Sequence, residues 1–197
     1  GASSRKGLGV QVPFRTQIGS DAMELEKALA LIREVPDYPI PGVLFRDITP
    51  LLAEPSAFKV ITEHLSRSAK SFTHCVGIEA RGFILAAAIA AHSGVGFIPL
   101  RKSGKLPFTT IGRSYGLEYG SDEIQAHIDA LTSKDVALIV DDVLATGGTL
   151  IAGIELVQAL GAQISEVVVL IEIEALGGRE KISSQFPEIS VRSVMRV

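Results

Sequence analysis

The 197 residues carry 19 lysines and arginines against 22 aspartates and glutamates, a net charge of −3, and 47% of them are hydrophobic. That is apolar material for one well-filled core, and the charge balance gives no broad basic face of the kind a general nucleic-acid binder needs. Cys75 is the one cysteine, so an internal disulfide is excluded, a reducing cytoplasmic setting is expected, and the thiol reads as a small buried hydrophobe.

Residues 1–22 show neither helical nor strand period and lack the apolar centre of a secretory signal. They are expected to be a non-native leader or a disordered extension, with 23–197 as a single domain. Leu25, Leu29 and Ile32 recur at helical spacing, which predicts a helix over 24–34 ended by Pro36. The segment 36–50 (PDYPIPGVLFRDITP) is too proline-rich for a helix and is expected as an ordered surface loop. A second helix is predicted over 56–70, with Phe58, Ile61 and Leu65 inward.

An apolar strand at Cys75–Glu79, a helix at Gly82–His92 and a strand at Gly96–Arg101 follow. The same order returns as Val136–Val140, Gly147–Leu160 and Ile164–Ile173. Fully apolar strands are what a parallel sheet covered on both faces requires, so the predicted class is α/β: doubly wound, mostly parallel, with helices on both faces. Between the two units, 102–129 has glycines at 104, 112, 116 and 120 and alternating Ile124, Ala126 and Ile128. It reads as a mobile, hairpin-like excursion able to close over a site. Phe83–Ala91 is apolar but far short of the ~18–20 residues that span a bilayer, so no membrane partner is expected.

In an open parallel sheet, ligands bind beyond the carboxyl ends of the strands. There the chain reads Asp141, Asp142, Val143, Leu144, Ala145, Thr146, Gly147, Gly148 and Thr149. Two glycines let the backbone approach a ligand, and amides at a helix start suit a phosphate monoester. Thr146 and Thr149 add hydroxyl donors. Asp141 and Asp142 are acceptors, which repel phosphate but suit a sugar diol or a nearby Mg²⁺. Ribose 5-phosphate offers both groups. Neither G-x-x-x-x-G-K-[ST] nor a strand-following G-x-G-x-x-G occurs. Histidines 64, 74, 92 and 127 show no metal-ligand spacing and read as structural or surface residues.

The string VDDVLATGGT resembles the phosphoribosyl-diphosphate signature of the type I phosphoribosyltransferases, and four other segments agree in order. PDYPIPGVLFRDITPLL is similar to an N-terminal base-binding segment, GIEARGF to a diphosphate loop and RKSGKLP to a basic loop. SYGLEYG is similar to the family's flexible catalytic loop, and EIEALGGREK to its late base-side segment. The base-side strings resemble those of members that take adenine. The resemblance implies transfer of a 5-phosphoribosyl group from 5-phospho-α-D-ribose 1-diphosphate (PRPP) to adenine, with Mg²⁺ carried mainly by the diphosphate, and a homodimer.

It also implies residue roles. Glu118 manages the proton of the base imidazole. PRPP and AMP are held by Asp141, Asp142, Ala145, Thr146, Gly147, Gly148 and Thr149, by Glu79, Ala80 and Arg81, and by Arg101, Lys102 and Lys105. The loop at Glu79–Ala80 often contains a cis peptide in this family. Leu44, Arg46 (through its backbone) and Ile173 contact the base, although Leu44 and Ile173 also suit a plain core. Two alternatives remain on the residues. One is the same reaction with guanine, hypoxanthine or xanthine. The other is a PRPP-sensing transcriptional regulator, which would need a DNA-reading module, whereas residues 1–35 show one convincing helix.

Overall fold

The computed structural model describes residues 24–68, 70–117 and 120–197. The expected leader, 1–22, and Glu118 lie outside them. Among the described residues, seven strands form one sheet and two form a short ribbon.

The parallel centre is β3 (His74–Ile78), β4 (Gly96–Lys102), β7 (Val136–Leu144), β8 (Gln163–Glu172) and β9 (Val191–Arg196). Its spatial order is β4-β3-β7-β8-β9, so the chain winds outward from β3 in both directions. Side chains alternate along each strand and feed two cores. Ala137 and Ile139 join Val76, Ile78, Leu100 and Ile154 on one face. Leu138 and Val140 join Cys75, Leu85, Ile61 and Ala28 on the other. Helices α1 (Leu25–Leu29), α3 (Pro55–Ser66) and α4 (Arg81–Ser93) supply the second face. Helices α5 (Gly148–Ala159) and α6 (Gly178–Gln185) supply the first. Both faces are covered, as the apolar strands predicted. Cys75 is buried, and burial pushes its thiol up to about 12. No helix of the described residues is long and apolar enough to cross a membrane.

The excursion is a hairpin. β5 (Thr110–Leu117) and β6 (Gly120–His127) pair antiparallel from Thr110↔His127 to Leu117↔Gly120. β6 joins the sheet at the edge of β4 through Arg101↔Gln125 and Lys102↔Ile124. Glu118 therefore falls, by sequence, between the two paired ends.

Four expectations are corrected. The first helix is shorter than 24–34: after Leu29 the chain turns, and Arg33–Val35 (β1) pairs antiparallel with Phe45–Asp47 (β2). The proline-rich segment is thus partly strand. Asp47 then accepts from the Thr49 amide and hydroxyl at 2.9 and 2.6 Å, starting α2 (Thr49–Ala53), which no periodicity announced. The second helix ends at Ser66 rather than 70: Arg67 leaves the helical conformation with ψ 77°, and Arg192 donates to carbonyls of the last turn, those of His64 and Leu65, at 3.2 and 2.9 Å. Strand β7 does not stop at Val140. It carries Asp141 and Asp142 inside the ladder, since β8 continues beside it and Asp141 pairs with Val169. Tertiary pairing there overrides the poor strand propensity of aspartate.

Candidate functional site

With β7 running to Leu144, the turn proper is Ala145–Gly147, and α5 begins at Gly148. Gly147 has φ 82°, a left-handed conformation that side chains resist, and no side chain caps α5. The first amides of that helix are left for a ligand, and the helix dipole adds to their pull on an anion. Residues Val143–Leu150 line a pocket there. Gly178, at the start of α6, lies directly against the turn. A Cβ on it would strike the Ala145 carbonyl and sit 2.9 Å from the Gly147 nitrogen. Gly178 was missed as a site residue, although the paired glycines of EIEALGGREK were its signal.

Asp141 and Asp142 are both buried, 9% and 6% exposed. Burial raises both carboxyls above the usual range, and for Asp141 the neighbouring Asp142 charge adds to it. Asp141 Oδ1 accepts the Asp142 amide at 2.9 Å and packs against Gly82, where a Cβ would come within 2.8 Å. Asp142 Oδ2 lies 2.9 Å from Arg81 Nε, an ion contact without hydrogen-bond alignment. The Arg81 guanidinium also sits over the Phe45 ring, 4.9 Å from its centre. Arg81 therefore joins the proline-rich segment to the acidic pair. Phe45 was not singled out from the sequence; its place between Leu44 and Arg46 was the available hint.

The peptide Glu79–Ala80 is cis. Glu79 holds the basic loop in place: it accepts from Arg101 Nε and Nη2, both at 3.3 Å, and from the Lys102 amide at 2.8 Å. Burial pulls its carboxyl upward, but those donors outweigh it and hold it below the usual carboxylate range. Arg101 also donates to the Lys105 carbonyl at 3.2 Å, closing the loop on itself, and Lys105 is exposed.

On the base side, Leu44 is exposed, while the Arg46 side chain is 15% exposed and bonded to Glu34 at 2.6 Å across β1–β2. That pairing engages one nitrogen of the guanidinium. Ile173 is half-buried, and its amide donates to the Leu144 carbonyl at 2.9 Å, which fixes it beside the end of β7. The structure thus brings Ile173, the acidic pair, Arg81 and the turn to one end of β7.

The phosphoribosyl transferase domain profile matches residues 48–193. The chain belongs to the phosphoribosyltransferase family. It is 51% identical over 174 residues to the adenine phosphoribosyltransferase of Acidothermus cellulolyticus, covering 87% of this chain and 96% of that one. Among solved structures, the adenine phosphoribosyltransferase of Thermoanaerobacter pseudethanolicus is similar at TM-score 0.84 and 40% identity, covering 88% of this chain and all of the other. The Giardia lamblia enzyme, solved with 9-deazaadenine, is similar at TM-score 0.82 and 40% identity, with 89% and 98% coverage. The turn after β7 of this phosphoribosyltransferase falls within the residues that the domain profile matches. The α/β class expected from the strand pattern agrees with these structures.

Proposed function

We propose that this phosphoribosyltransferase transfers the 5-phosphoribosyl group of PRPP to adenine, giving AMP and diphosphate. The observation that carries the proposal is the meeting at Arg81 of the base-side segment, through Phe45, and the acidic pair, through Asp142, at the strand end that leads into the turn. The likeness to relatives named for adenine supports the choice of base.

The turn Ala145–Thr149 binds the 5-phosphate through backbone amides and the hydroxyls of Thr146 and Thr149. Asp141 and Asp142 accept from the ribose diol. The loop at Glu79–Arg81, with Arg101, Lys102 and Lys105, holds the diphosphate. Leu44, Arg46 through its backbone and Ile173 bind adenine.

As the C1–O bond of PRPP breaks, its electron pair leaves with the diphosphate and C1 gains cationic character. A ring nitrogen of adenine gives its lone pair to C1. Glu118, on the resemblance of SYGLEYG, takes the imidazole proton that this bond displaces, a role worth ~10²–10⁴-fold. The neighbouring carboxylates favour the cationic sugar, and the arginines favour the leaving anion.

Among the described residues no three His, Cys, Asp or Glu side chains come together to hold a metal ion. Two carboxylates beside the phosphate turn are the donor set that a Mg²⁺ shared with substrate phosphates uses, so the residues fit an ion carried by the diphosphate. Bound there it would offset charge on the leaving oxygens. A cytoplasmic homodimer completes the proposal; exposed Tyr38, Ile40 and Val43 offer apolar surface for a second copy. Light scattering tests the dimer.

The decisive experiment is a purine panel with PRPP and Mg²⁺. Adenine should exceed hypoxanthine in kcat/KM by at least ~100-fold, because a site shaped for one hydrogen-bond pattern leaves groups unpaired with the other. Comparable rates would make this a broad purine enzyme instead.

A further inference from the structure

Two cations of the basic loop, Arg101 and Lys102, are already engaged. Lys102, the last residue of β4, is gripped at both ends: its amide by Glu79, and its ammonium by Asp122, with Nζ 2.8 Å from Oδ2. Asp122 lies on β6 directly across from Tyr115 on β5. The Tyr115 hydroxyl donates to the same Oδ2 at 3.1 Å, and the Glu123 amide donates to Oδ1 at 2.9 Å. Tyr115 packs against the phosphate turn, where a Cβ on Gly148 would lie 3.8 Å from it. Asp122 stands just beyond the string SYGLEYG, and none of the roles above uses it.

The two cations at the end of β4 are held differently. Arg101 meets Glu79 through two nitrogens of a planar fork, and its side chain is 34% exposed. Lys102 meets Asp122 through one nitrogen, with 54% of its side chain exposed. An ammonium on a flexible stem exchanges partners far more readily than a two-pronged guanidinium. A diphosphate brings several negative charges to the same rim, and Asp122 brings one.

We propose that Asp122 is a positioning residue that competes with the diphosphate for Lys102. It holds the ammonium at the rim before PRPP arrives and takes it back as the diphosphate product leaves. The inference rests on the assignment of Lys102 to the diphosphate site. Because the ammonium end of the pair is exposed and meets Asp122 through a single nitrogen, the competition is mild, about two- to five-fold in affinity. It weakens substrate and product diphosphate alike, which speeds product release.

The test is Asp122→Asn, which keeps an acceptor oxygen for the Glu123 amide and turns an amide donor toward the Tyr115 hydroxyl, but removes the charge. Calorimetry with Mg²⁺ and inorganic diphosphate should show binding about two- to five-fold tighter. KM for PRPP should fall by a similar factor, kcat should not rise and KM for adenine should stay. In a Lys102→Gln background the same substitution should have no effect. A purely structural role would instead lower the melting temperature and weaken both ligands. Unchanged or weaker diphosphate binding by folded Asp122→Asn, or an equal gain without Lys102, overturns the proposal. Asp122→Ser serves the same comparison should the amide variant fold poorly. Diphosphate binding is read without any base, so the two readings fail separately. Tighter diphosphate binding without AMP formation sinks the adenine assignment alone. Normal AMP formation with unchanged diphosphate affinity sinks the role of Asp122 alone.

Discussion

Glu172→Gln should destabilise this protein strongly, and the size can be worked from its surroundings. Glu172, the last residue of β8, is 3% exposed and accepts from Arg179 Nε at 2.7 Å and from the Ser193 hydroxyl at 2.6 Å. Arg196 lies 3.4 Å away. These donors, Arg179 foremost, push its carboxyl from 4.5 down to about 2. At ~1.4 kcal/mol for each tenfold change in proton affinity, that depression is worth on the order of 3 kcal/mol at neutral pH. The amide variant loses most of it and leaves Arg179 with a neutral partner. For a domain of this size the melting temperature should fall by roughly 6–12 °C. The sign with pH follows from the direction of the shift. A depressed carboxyl stabilises fully above its unfolded value and loses that contribution as pH falls toward the folded one. Urea unfolding of wild type and variant should therefore differ most at pH 6 and converge on acidification, with the difference reduced to roughly half by pH 3. A melting loss of under about 3 °C, or a difference that stays constant between pH 6 and pH 3, would refute the reasoning.

Gly178→Ala should displace the phosphate turn, because the added Cβ meets the backbone of Ala145 and Gly147, which cannot step aside. KM for PRPP should then rise toward the ~10²-fold of a 1 Å misplacement, and an unchanged KM would disprove the tight packing. Asp141→Asn with Asp142→Asn should weaken PRPP binding, while Asp141→Asn alone should melt no lower than wild type, since burial already disfavours that charge. Retention of wild-type KM in the double variant would remove the diol assignment. Glu118→Gln should lower the single-turnover rate by ~10²-fold or more with PRPP affinity near wild type; a rate close to wild type would exclude the proton role.

The apolar strands 75–79, 96–101, 136–140 and 164–173 and the helices between them could be read directly, because burial on both faces leaves a run of branched side chains in the sequence. The turn of Ala145–Gly147 before α5 was legible for a similar local reason: paired glycines at a helix start mark a sharp turn that brings the backbone close to whatever lies against it. What sequence could not show was decided by partners distant along the chain. Arg33–Val35 became strand because Phe45–Asp47 lay alongside, and Asp141 and Asp142 stayed in β7 because β8 ran on beside them. Strand β9 and helix α6 gave no periodic signal, yet β9 pairs with β8 and α6 places Gly178 against the turn at Ala145–Gly147. Arg81 offered charge to the sequence reader; the fold gave that charge to Asp142 and set it over Phe45. Local pattern records which face a residue must bury, whereas contacts between segments far apart in the chain depend on how the sheet is wound, and that is settled only when the whole core closes.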